Sequence, residues 1–537
     1  MKFRKFPILA LCCALLLTAC EKAPAPTPAP QVPTLSLPET VTEIVLDDGG
    51  ITVAGAAVST DATAAVYTAN DIVYYEAGKD FTYGEGSAQD AHTPAEANAH
   101  TVVHITQPGA YSLSGKLSLG QIAVDLGDDA KKDPAAVVTL ILNGVDITCE
   151  VAPAVIFYNV YECGSTDTET ASKDVDTSAA GANVLIADGT VNNVHGSYVA
   201  RIYKPDSVVL NADKTAVEDA SKLHKYDGAF YSKRSLNIYG GKENTGVLNI
   251  RAENEGLDSE LHLTINGGNI QIASGNDGIN TNEDGISVTT INGGNLTIRV
   301  TGETGEGDGI DSNGWLVING GTVTASACAN SADAGIDSDM GIHINGGTVI
   351  AGGHMLDRIE DGGQTYAVFS FAQKQAGGEM LRLKAQSGSA LLETCPENAY
   401  SVLIYSSPNL TAGTYTLWIE DRQLAGQAGG IGSGAGMKPD GINPGNKPDD
   451  MSGNRPGGMP PPQGQMPPNG GFPDGFTPPA GNPPTKPEAG RPGTPGNGGD
   501  PSQTPSSEFI IRDGANMFGG ITPLSDSNHK TSIISYL

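Results

Sequence analysis

The fold is decided by the stretch Gly309-Ile-Asp-Ser-Asn-Gly-Trp-Leu-Val-Ile-Asn-Gly-Gly-Thr-Val-Thr-Ala325, because both of its phrases recur along the chain. The Ile-Asn-Gly-Gly phrase occurs four times, and its Asn residues lie 26, 27 and 26 positions apart. The four copies begin at Ile265, Ile291, Ile318 and Ile344. A fixed period with β-branched strands between glycines is typical of stacked β-strand repeats. The sequence therefore predicts an all-β fold in which equivalent residues of successive repeats lie above one another.

The residues around each motif Asn predict how the repeats pack. Ile precedes the Asn in every copy, and aliphatic residues or Ala follow it at four and six positions, as at Ile270 and Ile272. Such alternation places these side chains on one face of a strand. The two glycines allow the backbone to turn at positive φ. Three strands in each repeat are typical of a right-handed parallel β-helix (a solenoid), which is the predicted fold, with irregular loops.

Composition divides the chain into six predicted segments. They are a lipoprotein signal peptide at 1–20, an Ala/Pro-rich tether at 21–40, an irregular or poorly ordered segment at 41–99, a parallel β-helix at 100–425, a disordered Gly/Pro-rich insertion at 426–507, and C-terminal strands at 508–537 that rejoin the β-helix. The insertion contains too few apolar residues to bury a core. A spacer across the cell wall and an excursion without specific binding are both open interpretations of it.

The N-terminus has the pattern of an export signal. Basic residues precede an apolar run from Ile8 to Leu17, which ends in Leu17-Thr-Ala-Cys20. This ending resembles the bacterial lipobox, in which the Cys carries the lipid, so we expect lipidation at Cys20. The protein would then be exported and anchored at the cell surface, on the outer face of the membrane, through lipid alone. An ordinary signal peptide cut nearby is the alternative.

The charge of the chain limits its partners. The formal net charge is −30, with 61 acidic residues against 31 Lys and Arg. Nucleic acid is excluded, because phosphate binding requires basic patches. Cations and neutral or cation-bridged polymers fit better, and we expect a monomer.

Four cysteines lie outside the signal peptide. The spacing of Cys149 and Cys163 leaves a disulfide between them open, whereas Cys328 and Cys395 are expected to be small buried hydrophobic residues. There is no CxxC pair, so a zinc or redox site is not expected.

A second repeated phrase, Gly-Ile-Asp-Ser with variants, places an acidic or amide residue before each Ile-Asn-Gly-Gly copy. Asp258, Asp311 and Asp337 lie eight residues before a motif Asn, and Asn280 lies twelve before, as if four residues had been inserted. Further acidic residues lie upstream or nearby in each repeat. We call the whole set the acidic row: Glu255, Asp258, Asp277, Asn280, Asp308, Asp311, Asp333, Asp337 and Asp339.

The acidic row is the candidate metal site. Stacked strands lie about 4.8 Å apart, and two charges ~5 Å apart repel by roughly 3 kcal/mol at an effective dielectric constant near 20. Between residues 251 and 361 the basic residues are Arg251, Arg299 and Arg358, leaving His aside. Oxygen ligands from Asp and Asn suit Ca²⁺, which is the predicted cofactor. The alternative is that these residues fill solvated turns, where Asp and Asn are common.

Several segments resemble the bacterial carbohydrate-binding β-helix family typified by a clostridial cell-surface polysaccharide-binding protein. The resemblance covers about residues 100–425 and 508–520. Besides the two repeated phrases, it includes Gly109-Ala-Tyr-Ser-Leu-Ser-Gly115, Asp125-Leu-Gly-Asp-Asp-Ala130, Leu140-Ile-Leu-Asn-Gly-Val145, Asn183-Val-Leu-Ile-Ala-Asp-Gly189, Gly228-Ala-Phe-Tyr-Ser-Lys233 and Ser407-Pro-Asn-Leu-Thr-Ala-Gly413. It implies a right-handed parallel β-helix similar in fold to family-nine pectate lyases, with bound calcium. It also implies recognition of plant-wall polysaccharides, including acidic pectic chains. We expect calcium-dependent binding of such a polysaccharide at the cell surface without catalysis, with an acidic, pectin-like chain as the favoured ligand and cellulose as the alternative.

Two alternatives stay open beside binding. One is pectate-lyase-like β-elimination of polyuronate, which in those lyases uses calcium and a basic side chain. No Lys occurs between Lys242 and Lys374, so the base would have to be Arg299, Arg251, or a Lys from an earlier repeat. The other is a structural or adhesive surface solenoid that calcium stabilises. The candidate carbohydrate-binding residues are Trp315, which would equally suit packing between repeats, and Arg299.

Overall fold

The computed structural model describes residues 35–429, 436–437 (backbone only) and 505–524. The predicted signal peptide with Cys20, most of the tether, and nearly all of the Gly/Pro-rich insertion lie outside these residues. No helix within the described ranges is both long and apolar enough to cross a membrane.

The described chain is all-β, as the repeat pattern predicts. Its one α-helix, Pro94–Asn98, begins at a capping box in which Thr93 and Glu96 bond to each other's backbone N–H. Two 3₁₀ turns, Ala130–Lys132 and Pro205–Ser207, are the other helical elements in these ranges. Almost all remaining regular structure is in strands, and large parallel sheets dominate.

Three ladders of stacked strands form the regular part. The first ladder contains Val66–Ala69, Thr101–Ile105, Gly120–Asp125, Val155–Asn159, Gly228–Ser232, Glu255–Ser259, Ile279–Thr281 and Ile310–Ser312. The second contains Gly109–Leu117, Val138–Cys149, Ala182–Ile186, Leu236–Gly240, Leu263–Ile265, Val288–Ile291, Trp315–Ile318 and Gly341–Ile344. The third continues from the end of Val138–Cys149 with Val191–Gly196, Val247–Ala252, Asn269–Ser274, Asn295–Val300, Thr322–Ser326 and Thr348–Gly353. All pairings within these ladders are parallel except the one between Val66–Ala69 and Thr101–Ile105.

The strand register keeps equivalent residues of successive repeats together. Ile265 pairs with Ile291, which pairs with Ile318 in turn. Ile270, Leu296 and Val323 align in the same way on the third ladder. All of these side chains are buried in one core, so the predicted aliphatic columns are confirmed. Burial of each is worth roughly 1.5–3 kcal/mol, which makes stacking the main source of stability.

The motif asparagines form a hydrogen-bonded column. The Asn292 Nδ2 atom donates to Asn266 Oδ1 (2.9 Å), Asn319 Nδ2 donates to Asn292 Oδ1 (2.9 Å), and Asn345 Nδ2 donates to Asn319 Oδ1 (2.8 Å). We call these four residues the asparagine column. The last Gly of each motif has positive φ, +86° at Gly294, where a Cβ would lie 2.6 Å from the Gly268 carbonyl oxygen.

Residues 41–99, expected to be irregular, contain a strand that extends the sheet. Val41–Leu46 pairs in parallel with Gly109–Leu117, and its alternate residues Ile44 and Leu46 are buried in the main core. Two short strands, Thr52–Val53 and Ala56–Ala57, follow it. The alternation of buried and exposed residues in Val41–Leu46 is too short to be recognised as a strand from the sequence.

The parallel ladders end earlier than residue 425, because Thr348–Gly353 pairs antiparallel with Tyr400–Ser406. A second core of aromatic and aliphatic residues follows. Its strands are Tyr366–Gln375, Leu381–Ala385, Ala390–Thr394, Tyr400–Ser406, Gly413–Ile419, Arg422–Ala428, Phe509–Ile511 and Ala515–Pro523. The last two rejoin this body through pairing with Gly413–Ile419, Tyr366–Gln375 and Arg422–Ala428. Two pairs of short strands lie outside the ladders. They are Met355–Leu356 with Gly436–Met437, and Val209–Leu210 with Val217–Asp219.

Candidate functional site

The acidic row follows the outer edge of the first ladder. Asp258, Asn280 and Asp311 are register partners on three successive parallel strands. The four extra residues after Asn280 form a turn and do not displace it from this register. Asp337 follows in the next repeat, where its backbone N–H donates to the Ile310 carbonyl oxygen (2.7 Å). Four side chains that are far apart in sequence therefore lie on one line.

Three carboxylates of the row converge on one point. Asp308, Asp311 and Asp337 each offer an oxygen, and these oxygens lie within 4.8 Å of one another. Two oxygens on the same Ca²⁺ ion, each about 2.3–2.6 Å from it, can be at most about 5 Å apart. The three side chains therefore fit one hard cation. Asp308 and Asp311 are half-buried and Asp337 is buried, so the ion would remain partly open to a ligand.

A second group lies deeper, around Glu255, Asp258 and Asn280. Asn280 Nδ2 donates to Glu255 Oε1 (3.0 Å), and Asn282 Nδ2 donates to Asp258 Oδ1 (2.6 Å). The remaining oxygens, Glu255 Oε2, Asp258 Oδ2 and Asn280 Oδ1, are buried and have no hydrogen-bond partner among the described residues. Buried acceptors without a donor are costly, which makes this group suitable for a cation or a proton.

The upstream acids hold the backbone of neighbouring repeats, a role that the sequence did not reveal. Asp277 Oδ1 accepts from the Asp308 N–H (2.7 Å), Asp308 Oδ1 from the Ala334 N–H (2.5 Å), and Asp333 Oδ2 from the Gly307 N–H (2.6 Å). The Asp339 N–H donates to the Ser312 carbonyl oxygen (3.0 Å). One side-chain oxygen of each upstream acid is thus occupied by the fold.

Burial makes the row electrostatically costly. Burial, followed by repulsion from Asp227, raises the pKa of Glu255 to about 8, although the Asn280 hydrogen bond acts in the opposite direction. Burial, followed by the charge of Glu255, raises the pKa of Asp258 well above its ordinary value. Burial also raises the pKa values of Asp277 and Asp308, with Asp311 and Asp337 respectively as the strongest repelling neighbours. Each of these carboxyl groups would be stabilised in its charged form by a cation.

Basic residues near the row come from residues 197–227, outside the repeats. Arg201 Nη2 lies 3.2 Å from Asp227 Oδ2, and both side chains are 11% exposed. The Arg201 charge also lowers the pKa of Glu255, and Lys225 lowers that of Glu260. These counter-charges could not be predicted from the sequence, because the segment has no repeated pattern that would align it with the row.

The two predicted carbohydrate-binding residues occupy different surroundings. Trp315 is half-buried at the start of a second-ladder strand, in register with Val288 and Gly341. Arg299 lies on the third ladder between Ala273 and Ser326. Its Nε donates to Asn398 Oδ1 (3.3 Å) and lies 3.2 Å from Glu397 Oε2, so it contacts the C-terminal body.

The cysteines form no disulfide in the described residues. Cys149 is buried, and Cys163 Sγ lies 3.6 Å from the Asp176 carbonyl oxygen. Cys328 is buried as predicted. The expected burial of Cys395 is wrong, since Cys395 is exposed in the loop that follows Ala390–Thr394.

The comparison with protein families identifies the domain that carries this row. Residues 99–368, half of the chain, match the model of the carbohydrate-binding domain-containing protein family. No curated protein and no solved structure matches the chain. The matched region includes all three ladders from Thr101 onward and the whole acidic row. The β-rich domain that carries the acidic row is therefore the part of the chain that matches this family. The chain belongs to the carbohydrate-binding domain-containing protein family.

Proposed function

We propose that this protein binds an acidic polysaccharide through calcium held by the acidic row, without cleaving the polysaccharide. The observation that carries the proposal is the convergence of Asp308, Asp311 and Asp337 oxygens within 4.8 Å. Membership in the carbohydrate-binding family supplies the ligand class. The acidic row supplies the mode of binding.

Charge favours an acidic ligand over a neutral one at this site. A chain of net charge −30 repels a free polyuronate. A bound divalent cation neutralises most of the charge of the three carboxylates and can itself accept a further carboxylate oxygen as a ligand. The half-buried Asp308 and Asp311 leave one side of that cation accessible to a uronate carboxylate. Asp308, Asp311 and Asp337 would hold the ion, and Glu255, Asp258 and Asn280 offer a neighbouring set of free oxygens.

Crystalline cellulose is the less favoured ligand. Binding to its flat surface calls for a row of exposed aromatic side chains. Of the two Trp residues, Trp315 is half-buried. The Lys384 ammonium group covers the Trp418 ring, with its Nζ atom 4.6 Å from the centre of that ring. These two side chains lie on separate parts of the described chain and offer no flat platform together.

We further propose that the three ladders form a right-handed parallel β-helix, and that Cys20 carries a lipid which anchors the protein at the cell surface. Three parallel strands in each of the repeats between Gly228 and Ser326 support the β-helix. The Leu17-Thr-Ala-Cys20 sequence supports the anchor. A monomer is the simplest form for such a surface domain.

The lyase alternative has one observation in its favour. Arg201 and Lys225 bring positive charge close to the row. Arg201 is already paired with Asp227, however, and a guanidinium group stays protonated, which makes it a poor proton acceptor. Binding without elimination is therefore favoured.

A polysaccharide pull-down tests the proposal. Purified protein would be mixed with insoluble pectate, xylan or cellulose, in CaCl₂ or in EGTA, and compared with Asp311→Asn and with the exposed control Asp421→Asn. We expect retention on pectate in calcium only, loss in Asp311→Asn and no change in Asp421→Asn. Retention that is equal in EGTA would exclude the calcium-dependent mode. Ultraviolet absorbance of unsaturated uronate ends in the same samples would expose a lyase.

A further inference from the structure

A groove runs along the outer face of the second ladder, on a different ladder from the acidic row. Its volume is about 210 Å³. Its floor is formed by residues that face outward from successive strands, including Thr264, Thr290 and Val317, and by the asparagine column. Residues 173–178 form its wall. The floor is regular and mixes amide and hydroxyl groups with apolar surface such as Val317, with one row of side chains in each repeat, about 4.8 Å apart.

The groove is closed at one end by Thr177. The Thr177 Oγ1 atom lies 2.8 Å from Asn237 Oδ1 and 2.7 Å from Thr264 Oγ1. Asn237 Nδ2 in turn donates to the Thr177 carbonyl oxygen (2.8 Å). All three residues are buried. This hydrogen-bonded plug fixes residues 173–178 across the ladder, so the groove is a slot with one closed end.

The floor becomes more accessible away from the plug. Within the asparagine column, Asn266 is 3% exposed, Asn292 and Asn319 are half-buried, and Asn345 is exposed. An Asn side chain has two N–H donors and two acceptor sites on its oxygen. The links within the column use one donor and one acceptor of Asn292 and of Asn319. Each of these amides therefore keeps one N–H and one acceptor site for a ligand, the combination that a hydroxyl group matches.

The wall has no excess of positive charge, because it contains Lys173 against Asp174 and Asp176. Lys173 Nζ lies 2.5 Å from Asp174 Oδ1, and the Asp176 carboxylate accepts from the Ser178 N–H (2.9 Å). The groove is therefore better suited to an uncharged ligand than to a polyuronate. Its volume is below the ~300–1,000 Å³ of pockets that enclose drug-sized ligands, so it matches the end of a chain and not a long internal stretch.

We propose that this groove is a second carbohydrate site, which takes the end of an uncharged glycan without calcium. The proposal depends on the proposed function only in taking the ligand to be a carbohydrate. Hydroxyl groups of the terminal sugar would bond to the free amide groups of Asn292 and Asn319, and the sugar would stop at the Thr177 plug. The regular spacing of the floor would present the same groups to the next sugar along the chain.

Isothermal titration with cellopentaose, xylopentaose and mannopentaose, in CaCl₂ and in EGTA, tests this site. Thr290→Arg would fill the groove, since Thr290 is half-buried on its floor. Thr297→Arg is the matched control, because Thr297 is an exposed residue of the same repeat on the third ladder. We expect at least one pentaose to bind with equal affinity in CaCl₂ and in EGTA. Thr290→Arg should weaken this affinity by about tenfold or more, as the loss of one or two hydrogen bonds predicts. Thr297→Arg should leave the affinity unchanged.

A second variant keeps the test decisive if Thr290→Arg does not fold. Asn345→Arg, at the exposed mouth of the groove, should weaken the same pentaose. It removes only the one hydrogen bond to Asn319, so we expect it to fold and to unfold in one cooperative transition. The groove is excluded if no pentaose binds, if both groove variants bind as wild type, or if EGTA or Asp311→Asn abolishes binding. Calcium-dependent retention on pectate should survive in Thr290→Arg, so a failure of the acidic-row proposal is seen separately.

Discussion

Tyr231 and Asp258 are register partners on adjacent strands of the first ladder. The outward column of this ladder has Ala123 and Ile156 before Tyr231 and becomes acidic or amide from Asp258 onward. Tyr231 is buried against Tyr226 of the 197–227 segment, with ring centres 5.1 Å apart. The segment that covers the ladder therefore packs on the residue next to the first carboxylate of the row.

Contacts at this boundary fix the position of the row. The Tyr231 hydroxyl donates to Glu260 Oε1 (2.8 Å). A Cβ at Gly228 would lie 2.5 Å from Asp258 Cβ, so only Gly fits beside Asp258 at that position. Tyr231, packed on Tyr226, and Gly228 thus fix the surroundings of Asp258. Arg201 and Asp227 of the 197–227 segment provide the nearby ion pair.

Removal of the metal should lower stability. At a free calcium concentration of 100 times the Kd, binding to the folded state alone contributes about 2.7 kcal/mol. We expect CaCl₂ to raise the thermal unfolding temperature of wild type, and EGTA to reverse the rise. Asp311→Asn should remove most of the calcium effect, whereas Asp421→Asn, an exposed residue between two C-terminal strands, should retain it. Equal unfolding temperatures of wild type in CaCl₂ and EGTA would rule out the metal.

Stability should decrease as the pH rises, whereas a salt-bridged acid of ordinary kind makes stability increase with pH. In the fold the pKa of Glu255 is raised from 4.5 to about 8, so between these values the folded state holds a proton that the unfolded chain has lost. Stability is therefore fully present at low pH and decreases as the pH rises through this window. We expect urea unfolding in EGTA to show lower stability at pH 8 than at pH 5.5. Glu255→Gln should flatten the slope, and a steeper loss toward pH 5.5 would contradict this account.

The asparagine column should contribute to stability in proportion to its links. Asn319→Ala removes the bonds to Asn292 and Asn345, whereas Asn345→Ala removes only the bond to Asn319. With about 0.5–1.5 kcal/mol for each hydrogen bond, the first variant should lose about 1–3 kcal/mol and the second about half as much. Urea unfolding measures both. Equal losses would mean that the column does not act through its side-chain bonds.

Substitutions of two glycines with positive φ allow the cost of backbone strain to be distinguished from the cost of steric crowding. Gly285 has φ +67° with no atom within 4 Å of an added Cβ, whereas Gly294 has φ +86° with the Gly268 carbonyl oxygen 2.6 Å away. Gly285→Ala should cost about 1–2 kcal/mol through its backbone conformation alone. Gly294→Ala should cost about 1–3 kcal/mol more, because backbone atoms of the neighbouring repeat must move. Equilibrium unfolding of both variants gives the difference, and equal costs would refute the close stacking at this corner.

The repeats were predictable because one pattern specifies both local structure and stacking. Ile265 and its equivalents could be aligned from sequence, and so could Asp258, Asn280 and Asp311, since parallel strands in register bring equal positions together. The asparagine column was present in the same repeats. Its role could have been deduced from the fact that a stacked Asn can bond to the Asn above it.

Other features could not be predicted because they depend on contacts between non-repeated segments. Arg201 reaches Asp227 only through the course of residues 197–227, and Thr177 reaches Asn237 only because residues 173–178 cross the ladder. Arg299 was a candidate for ligand binding by its charge alone, but it contacts Glu397 of the C-terminal body. Such partners are far apart in sequence and follow no period.

Calorimetric titration of oligogalacturonate into the protein tests the central proposal most directly. Wild type and Asp311→Asn would each be measured in CaCl₂ and in EGTA, with Asp421→Asn as the control for a loss of surface charge. We expect wild type and Asp421→Asn to bind in CaCl₂. We expect no binding by Asp311→Asn in CaCl₂, and none by any of the three proteins in EGTA. Binding of equal affinity in EGTA, or undiminished binding by Asp311→Asn, would contradict it.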